Sequence, residues 1–329
     1  MLLSARAFFS VCAIASFVAC SSSETDNDAA ADKGADADTG ASTDTGVAEV
    51  STDGAPPVDE AALVTARPFK EQVPKAYDKS KATPLLLLLH GYGVSGAIQL
   101  AYFSFDGLVD TRNVIIAYPD GTLDADKKRY WNATDACCGT GKSPPDDVAY
   151  LTAVVHDVQK RYNVDPRQIF VAGHSNGGFM AHRLACERAD LFASAVSLAG
   201  AQWMDVSKCK PSRPVSIAQV HGDGDTTIGY AGGTIVEFDG SKVKYPSAAE
   251  TVADWAKLDG CTGALADTGK PLDIESNLAG TETKVSKYAG CPAGVSVELW
   301  TIVGGAHAPT FGPAWGPSVL DFLQAHPMP

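Results

Sequence analysis

The sequence predicts an α/β fold built on a doubly wound, mostly parallel sheet with helices on both faces. Two observations carry that reading. Short apolar runs without polar alternation are bounded by turn residues, as expected of strands buried on both sides. Between them lie stretches with apolar residues at helical spacing, so the order reads strand, helix, strand, helix.

Five consecutive leucines at 85–89, held between Pro84 and His90-Gly91, form the first buried strand. Residues 114–118 form the next, stopped by Pro119-Asp120-Gly121, a turn signal. Asp146-Asp147-Val148 opens a helix to about Tyr162, with Val148, Leu151, Val154, Val155 and Val158 on one face. A strand is expected over 168–172 and a helix over 176–189. Further strands fall at 195–198 and 215–220, then a helix at 246–258, a strand at 297–303 and a last helix near 317–325. Internal repeats are absent.

The first sixty or so of the 329 residues read differently. Residues 1–20 carry one early positive charge, Arg6, then a short apolar run ending at Phe17-Val18-Ala19-Cys20-Ser21. That layout is a secretory signal, too short to span a membrane comfortably. Its end resembles a bacterial lipoprotein cleavage site, although Phe17 stands where Leu is usual. The expectation is a lipid on Cys20 that anchors the protein to the cell envelope; the alternative is an ordinary signal peptide cut nearby. Either way the mature protein lies outside the cytoplasm.

Residues 21–62 hold eleven acidic side chains against one basic, Lys33, with almost no large apolar groups. Such a segment buries too little to offset its ordering entropy, so a disordered tether is expected. With Arg6 at +1 and the tether at −10, residues 63–329 carry only −4 of the net −13. The acidity belongs to the tether, and nothing is basic enough to suggest a nucleic-acid partner. Residues 63–329 are ample for one catalytic domain, expected to be a monomer.

Six cysteines fall in that domain: Cys137, Cys138, Cys186, Cys209, Cys261 and Cys291. In an exported chain an even number reads as disulfides, in any of about fifteen pairings. Cys261–Cys291 would brace an irregular polar stretch, and Cys186–Cys209 is a second candidate. Cys137 and Cys138 could join each other or take separate partners. Without a CxxC pair or an HExxH, a zinc or other metal site is not expected.

Gly173-His174-Ser175-Asn176-Gly177 fits G-x-S-x-G and lies between a predicted strand and a predicted helix. There Ser175 would sit in a strained turn at the carboxyl edge of the sheet, with the helix N-terminus favouring a developing oxyanion. The bland alternative is a Gly/Ser turn without chemistry. A serine needs a base, and the partners on such folds come in the order serine, acid, histidine. Of the later histidines, His182 lies on the nucleophile's own helix, His326 in the tail, and His221 at a strand end. His307, in Gly304-Gly305-Ala306-His307 after the last strand, is the candidate base. Asp223 and Asp225 follow the preceding strand; Asp225, further from its end, can curve back to the imidazole. The Asn176 N–H and the Tyr92 N–H, the latter just past Gly91, are the candidate oxyanion donors.

From Arg67 onward the chain resembles secreted esterases grouped as polyhydroxybutyrate-depolymerase-like and feruloyl-esterase-like proteins. The resemblance rests on Val73-Pro74-Lys75-Ala76-Tyr77-Asp78, Pro84 to Gly91, Tyr118-Pro119-Asp120-Gly121, and Trp131-Asn132 with Cys137-Cys138-Gly139. It continues through Asp146-Asp147-Val148, Gly173 to Gly178, Leu184-Ala185-Cys186-Glu187, His221-Gly222 with Asp225, and Gly304 to His307. It implies an α/β-hydrolase fold without a cofactor and a Ser175-Asp225-His307 triad. It also implies substrates such as feruloylated or acetylated plant polysaccharide, or short polyhydroxyalkanoate esters. The chain departs from the family's usual pattern at Thr226 to Tyr230, where a Pro is usual, and at Ala308 to Phe311, where an aromatic comes sooner after the histidine. Both places are expected near the acyl pocket. A separate polymer-binding domain after the hydrolase domain is not expected, which favours soluble or wall-derived esters over solid polyester. There are two rival readings: an acyltransferase or peptidase using the same triad, and a catalytically silent polysaccharide-binding lipoprotein using Trp131, Trp203 or Trp300.

Overall fold

A computed structural model describes residues 58–138, 144–237 and 240–329. The predicted signal, Cys20 and most of the predicted tether lie outside the described residues, as does Gly139. The described chain begins with helix α1 (Glu60–Ala66), whose N-cap Asp59 accepts the Ala62 N–H at 3.0 Å. This corrects the tether boundary expected at Ala62. Asp59 and Glu60 are not merely solvated charges: one caps the helix and the other occupies its first turn, where negative charge is favoured. Glu60 also contacts His156 at 2.6 Å and Lys160 at 3.6 Å.

Strands β1 (Glu71–Gln72) and β2 (Thr83–Leu89) precede helices α2 (Gly96–Phe103) and α3 (Leu108–Arg112). Strand β3 (Ile115–Ala117) and the small hairpin β4 (Thr122–Leu123) and β5 (Arg129–Tyr130) follow. Then come α4 (Asp147–Arg161), β6 (Val164–His174), α5 (Asn176–Glu187), β7 (Ser194–Leu198) and β8 (Ser216–Gly222). The last part contains the hairpin β9 (Gly233–Val236) and β10 (Lys242–Tyr245), then α6 (Ala248–Leu258), β11 (Leu265–Asp267), β12 (Thr283–Tyr288), β13 (Val297–Ile302) and α7 (Trp315–Ala325). The main sheet runs β1-β3-β2-β6-β7-β8-β13-β12-β11. It is parallel from β3 to β13 and antiparallel at both edges.

The leucine run shows why the strands lack polar alternation. Leu85, Leu87 and Leu89 point into a core shared with Leu151 of α4, Phe179 of α5 and Trp255 of α6. Leu86 and Leu88 point the other way, into a core with Phe103 of α2, Val109 of α3 and Trp315 of α7. All five are fully buried, and each stabilises the fold by about 1.5–3 kcal/mol.

Within the 261–291 segment, expected to be irregular, the chain forms β11 and β12. The edge position explains the miss, since in β12 only Thr283 and Val285 are buried. Cys261–Cys291 closes that segment, Cys186–Cys209 ties the end of α5 to the segment before β8, and Cys137 is joined to Cys138.

Asp259, the C-cap of α6, is almost wholly buried. Its Oδ1 accepts the Val215 N–H at 2.9 Å, while Oδ2 has no hydrogen-bond partner. Burial pushes its pKa up to about 7, against smaller opposing effects of the Val215 N–H and Arg213. A carboxyl with a raised folded-state pKa binds a proton in the native state that the unfolded chain has lost. Stability therefore falls as pH rises from about 4 to about 7 and stays lowered above that. Asp259→Asn is expected to gain about 4 kcal/mol over wild type at pH 8 and less than about 1 kcal/mol at pH 4. Urea melts at the two pH values check this; an equal gain at both would assign the effect to packing.

Candidate active site

Strand β6 runs into α5 through a single residue, Ser175, whose backbone is at φ 54° and ψ −121°. That region is costly for a residue with a Cβ, on the order of 1–3 kcal/mol, and persists only where the surroundings enforce it. Here the Ser175 N–H donates to the Leu198 carbonyl at 2.8 Å, and its own carbonyl accepts the Phe179 N–H at 3.0 Å. The turn is tight enough that a Cβ on Gly173 would lie 2.1 Å from the Gly177 carbonyl oxygen. One on Gly177 would lie 2.5 Å from that of Leu89. Glycine is required at both positions by close backbone approach.

The three residues singled out for chemistry meet at this turn. His307 Nε2 is 3.0 Å from Ser175 Oγ, and His307 Nδ1 is 2.8 Å from Asp225 Oδ2. They come from β6, from the loop after β8 and from the loop after β13. Those last two loops are stitched together: the Gly224 N–H donates to the Gly305 carbonyl at 3.0 Å, and the Gly304 N–H to Asp223 Oδ1 at 2.5 Å. Asp223, the alternative acid, is thereby a loop brace, and Asp225 is the carboxylate on the imidazole. Its side chain is fully buried, and Oδ1 accepts the N–H groups of Thr227 at 2.7 Å and Ile228 at 2.9 Å. Burial alone would raise its pKa. Donation from His221, His307 and Thr227 outweighs that and holds the carboxyl well below the usual range.

Two further histidines, neither of them among the candidate catalytic residues, also touch this assembly. His174, beside the nucleophile, donates from Nε2 to the His307 carbonyl at 2.9 Å. Burial first, and then the neighbouring His307, push its pKa down to about 3, so it braces the loop as a neutral ring. His221 Nε2 lies 3.3 Å from Asp225 Oδ2. Only the i, i+4 spacing of His221 and Asp225 across a turn could have signalled that contact.

The candidate oxyanion donors flank Ser175. Asn176 opens α5, and its side chain clamps the Trp131 backbone, accepting its N–H at 2.7 Å and donating to its carbonyl at 2.9 Å. Gly91 abuts the nucleophile, since a Cβ there would lie 3.5 Å from Ser175 Cβ. The Gly91 carbonyl accepts from His90 Nδ1 at 2.8 Å, and the trans peptide turns the Tyr92 N–H the opposite way. His90 is fixed in turn, because its Nε2 accepts the Gly121 N–H at 2.8 Å. Burial pushes its pKa down to about 4. Trp131 donates its indole N–H to the His90 carbonyl at 3.0 Å. Asp147 accepts the Asn132 N–H at 2.7 Å and pairs with Arg67 at 2.6 Å. The segments around Trp131 and Asp147 thus build the wall behind the oxyanion loop.

Trp131, Trp203 and Trp300 are all buried, which removes the platforms a silent sugar-binding protein would need. Near the histidine loop, Phe311 stacks on Trp315 with ring centroids 4.0 Å apart, and Tyr102 donates to the Pro309 carbonyl at 3.0 Å. In the acid loop, Tyr230 shares a hydrogen bond with Thr301 at 2.8 Å. Among the described residues no cluster of three or more His, Cys, Asp or Glu could hold a metal ion. No described helix is long and apolar enough to cross a membrane.

Comparison with known proteins agrees with this architecture. The chain is 29% identical over 260 residues to "Feruloyl esterase B" of Piromyces equi, covering 78% of this chain and 44% of that protein. It is 29% identical over 230 residues to "Putative esterase NocK" of Nocardia uniformis subsp. tsuyamanensis, covering 68% and 64%. The chain thus spans less than two thirds of the length of either relative. A solved acetyl xylan esterase from Aspergillus awamori shares the fold, with a TM-score of 0.53 at 17% identity over 78% of this chain and 93% of that one. The fold is that of the α/β-hydrolases. The family model described as "Putative esterase" matches residues 61–235, more than half of the sequence, including Ser175 and Asp225 and ending before His307. The chain belongs to this Esterase family.

Proposed function

We propose that the protein is an exported carboxylic ester hydrolase working by acyl transfer through Ser175. The observation that carries this reading is the unbroken line from Ser175 Oγ through His307 to Asp225, centred on a strained serine at a helix N-terminus. His307 takes the Ser175 proton as Oγ attacks the ester carbonyl. The N–H groups of Asn176 and Tyr92 receive the tetrahedral oxyanion, with the α5 dipole behind the first. The alcohol leaves with the proton from His307, and water then repeats the sequence to free the acid. Asp225 holds the His307 proton on Nδ1 and stabilises the imidazolium without taking a proton itself.

For substrate, we infer feruloyl- or acetyl-type esters attached to polysaccharide, with short polyhydroxyalkanoate esters as the second class. The names of two relatives support the first: "Feruloyl esterase B", and "Bifunctional acetylxylan esterase/xylanase XynS20E" of Neocallimastix patriciarum, 27% identical over 153 residues. Export to the cell envelope is supported by the signal-like start of the chain and by three disulfides, which persist in oxidising compartments. The protein is read as a monomer, and a lipid on Cys20 would be its one attachment to a membrane.

The test is a panel of p-nitrophenyl acetate, p-nitrophenyl butyrate, methyl ferulate and a soluble hydroxybutyrate oligomer, each run with the oxidised protein. Serine-dependent turnover, fastest on the acetyl or feruloyl ester, is expected. Preference for the oligomer would reverse the substrate order. Silence of a folded protein on every ester would overturn the esterase reading.

A further inference from the structure

Behind Asp225 the hydrogen bonding does not stop. Gln219 and His221 lie two residues apart on β8 and so face the same side of the sheet, toward α5 and α6. The Trp255 indole nitrogen is 2.9 Å from His182 Nδ1, and His182 Nε2 is 2.8 Å from Gln219 Oε1. Gln219 Nε2 is 2.8 Å from the Gly200 carbonyl and 3.2 Å from His221 Nδ1. His221 Nε2 is 2.7 Å from the Ile228 carbonyl and 3.3 Å from Asp225 Oδ2. His182, Gln219, His221 and Trp255 are all buried.

The direction of every proton in this chain is forced by its fixed members. An indole N–H can only donate, so His182 Nδ1 accepts and its proton sits on Nε2, facing the Gln219 oxygen. Burial pushes the His182 pKa down to about 4, which keeps the ring neutral near pH 7. The Gly200 carbonyl can only accept, which independently turns the Gln219 amide the same way. The second amide hydrogen then meets His221 Nδ1, so the His221 proton sits on Nε2. There it faces a carbonyl and a carboxylate, both of which can only accept. All the assignments agree, and the last lands on the oxygen of Asp225 that also receives His307.

We propose that His221 is a positioning residue: a neutral histidine, held in one tautomer by Trp255, His182 and Gln219, that pins the Asp225 carboxylate toward His307. The inference rests on the triad reading above and adds a dependence on residues that touch neither substrate nor reacting atoms. Without the His221 donor, Oδ1 stays on the Thr227 and Ile228 N–H groups but Asp225 Oδ2 keeps only His307, so that end of the carboxylate is less firmly held and more basic. Turnover then falls while substrate binding does not, and His307 titrates at higher pH. The other ionisable groups around this pair are His174 from β6, Tyr102 from α2, and Asp223 and Tyr230 from the acid loop.

The test compares His221→Phe, His221→Gln and Gln219→Met, with Ser175→Ala as the control for the triad. His221→Phe is expected to lower kcat about ten-fold or more with KM within about two-fold, the loss of one hydrogen bond to a charged group. The acidic limb of kcat/KM should move to higher pH. His221→Gln, whose amide N–H can reach the place of Nε2, should recover most of the rate. Gln219→Met should shift the limb in the same direction by a smaller amount. NMR titration of the His307 ring in each variant reads the same shift without any substrate. A folded His221→Phe with an unchanged His307 titration and kcat within two-fold would overturn the proposal. Should His221→Phe not fold, the same criterion applies to Gln219→Met. Serine-independent activity would overturn the triad reading itself, whereas serine-dependent activity indifferent to His221 would overturn only this inference.

Discussion

Ser175→Ala is expected to lower kcat by on the order of 10⁴–10⁶-fold, with KM nearly unchanged and the fold intact. The size follows from what the substitution removes. On the proposed mechanism Ser175 Oγ is the atom that becomes acylated, and without it His307 Nε2, 3.0 Å away in the wild type, is left with only water to deprotonate. The neighbouring amides and the α5 N-terminus remain, so an ester still binds. What is left is the slow attack of water on a polarised carbonyl. Chemistry and strain separate at this position, because alanine keeps the Cβ that makes φ 54° costly. Its melting temperature should therefore match wild type. Ser175→Gly removes the Cβ as well, and is expected to be just as inactive yet more stable by about 1 kcal/mol. Initial rates on p-nitrophenyl acetate beside thermal melts of both variants check the two halves. Substantial turnover by a pure alanine variant would remove Ser175 from the mechanism.

The central sheet and the Ser175 turn were legible in the sequence because both depend on local rules. Strands buried on both faces are uniformly apolar, as in residues 85–89, and a strand-to-helix turn this tight accepts little but glycine two positions to either side of the serine. Asp225 and His307, the candidate acid and base, follow from chain order and loop position, which topology dictates, and the fold brings both to Ser175. Other parts depend on partners remote in sequence. Helix α2, Gly-Ala-Ile-Gln-Leu-Ala-Tyr-Phe, is apolar on nearly every side, so no stripe marks it; only Ser95, capping the Ile98 N–H at 3.3 Å, signals its start. Strand β12 is half solvated at a sheet edge, and α1 hides in acidic sequence. The contacts of His174 and His221 were not legible, because a histidine's hydrogen-bond partners cannot be read from its neighbours in the chain. His182 joins His221 through a glutamine 37 residues away, a relation created only by packing α5 against β8.

Asp225→Asn is expected to cost about 10⁴-fold in kcat at pH 7 while leaving the active-site geometry close to wild type. The cause is a conflict of donors that the structure makes explicit. Oδ1 of the side chain accepts two backbone N–H groups, from Thr227 and Ile228, so an asparagine must keep its oxygen there. Its NH₂ then takes the place of Oδ2, facing the Nδ1 of His307 and the Nε2 of His221, both of which donate in the wild type. Two donors cannot share a hydrogen bond. His307 relieves the clash by moving its proton to Nε2, where it faces Ser175 Oγ and can no longer accept the hydroxyl proton. The base is thus present, correctly placed and in the wrong tautomer. Stability should follow the same carboxylate. Its pKa is depressed in the fold, so its ionisation stabilises the native state above the unfolded value and ceases to do so as pH falls through the folded one. The gap in melting temperature between wild type and Asp225→Asn should therefore be widest near pH 7 and close progressively below about pH 4. Nitrogen NMR of the His307 ring reads the tautomer directly. A proton still on Nδ1, with kcat within ten-fold of wild type, would show that Asp225 orients nothing the reaction needs.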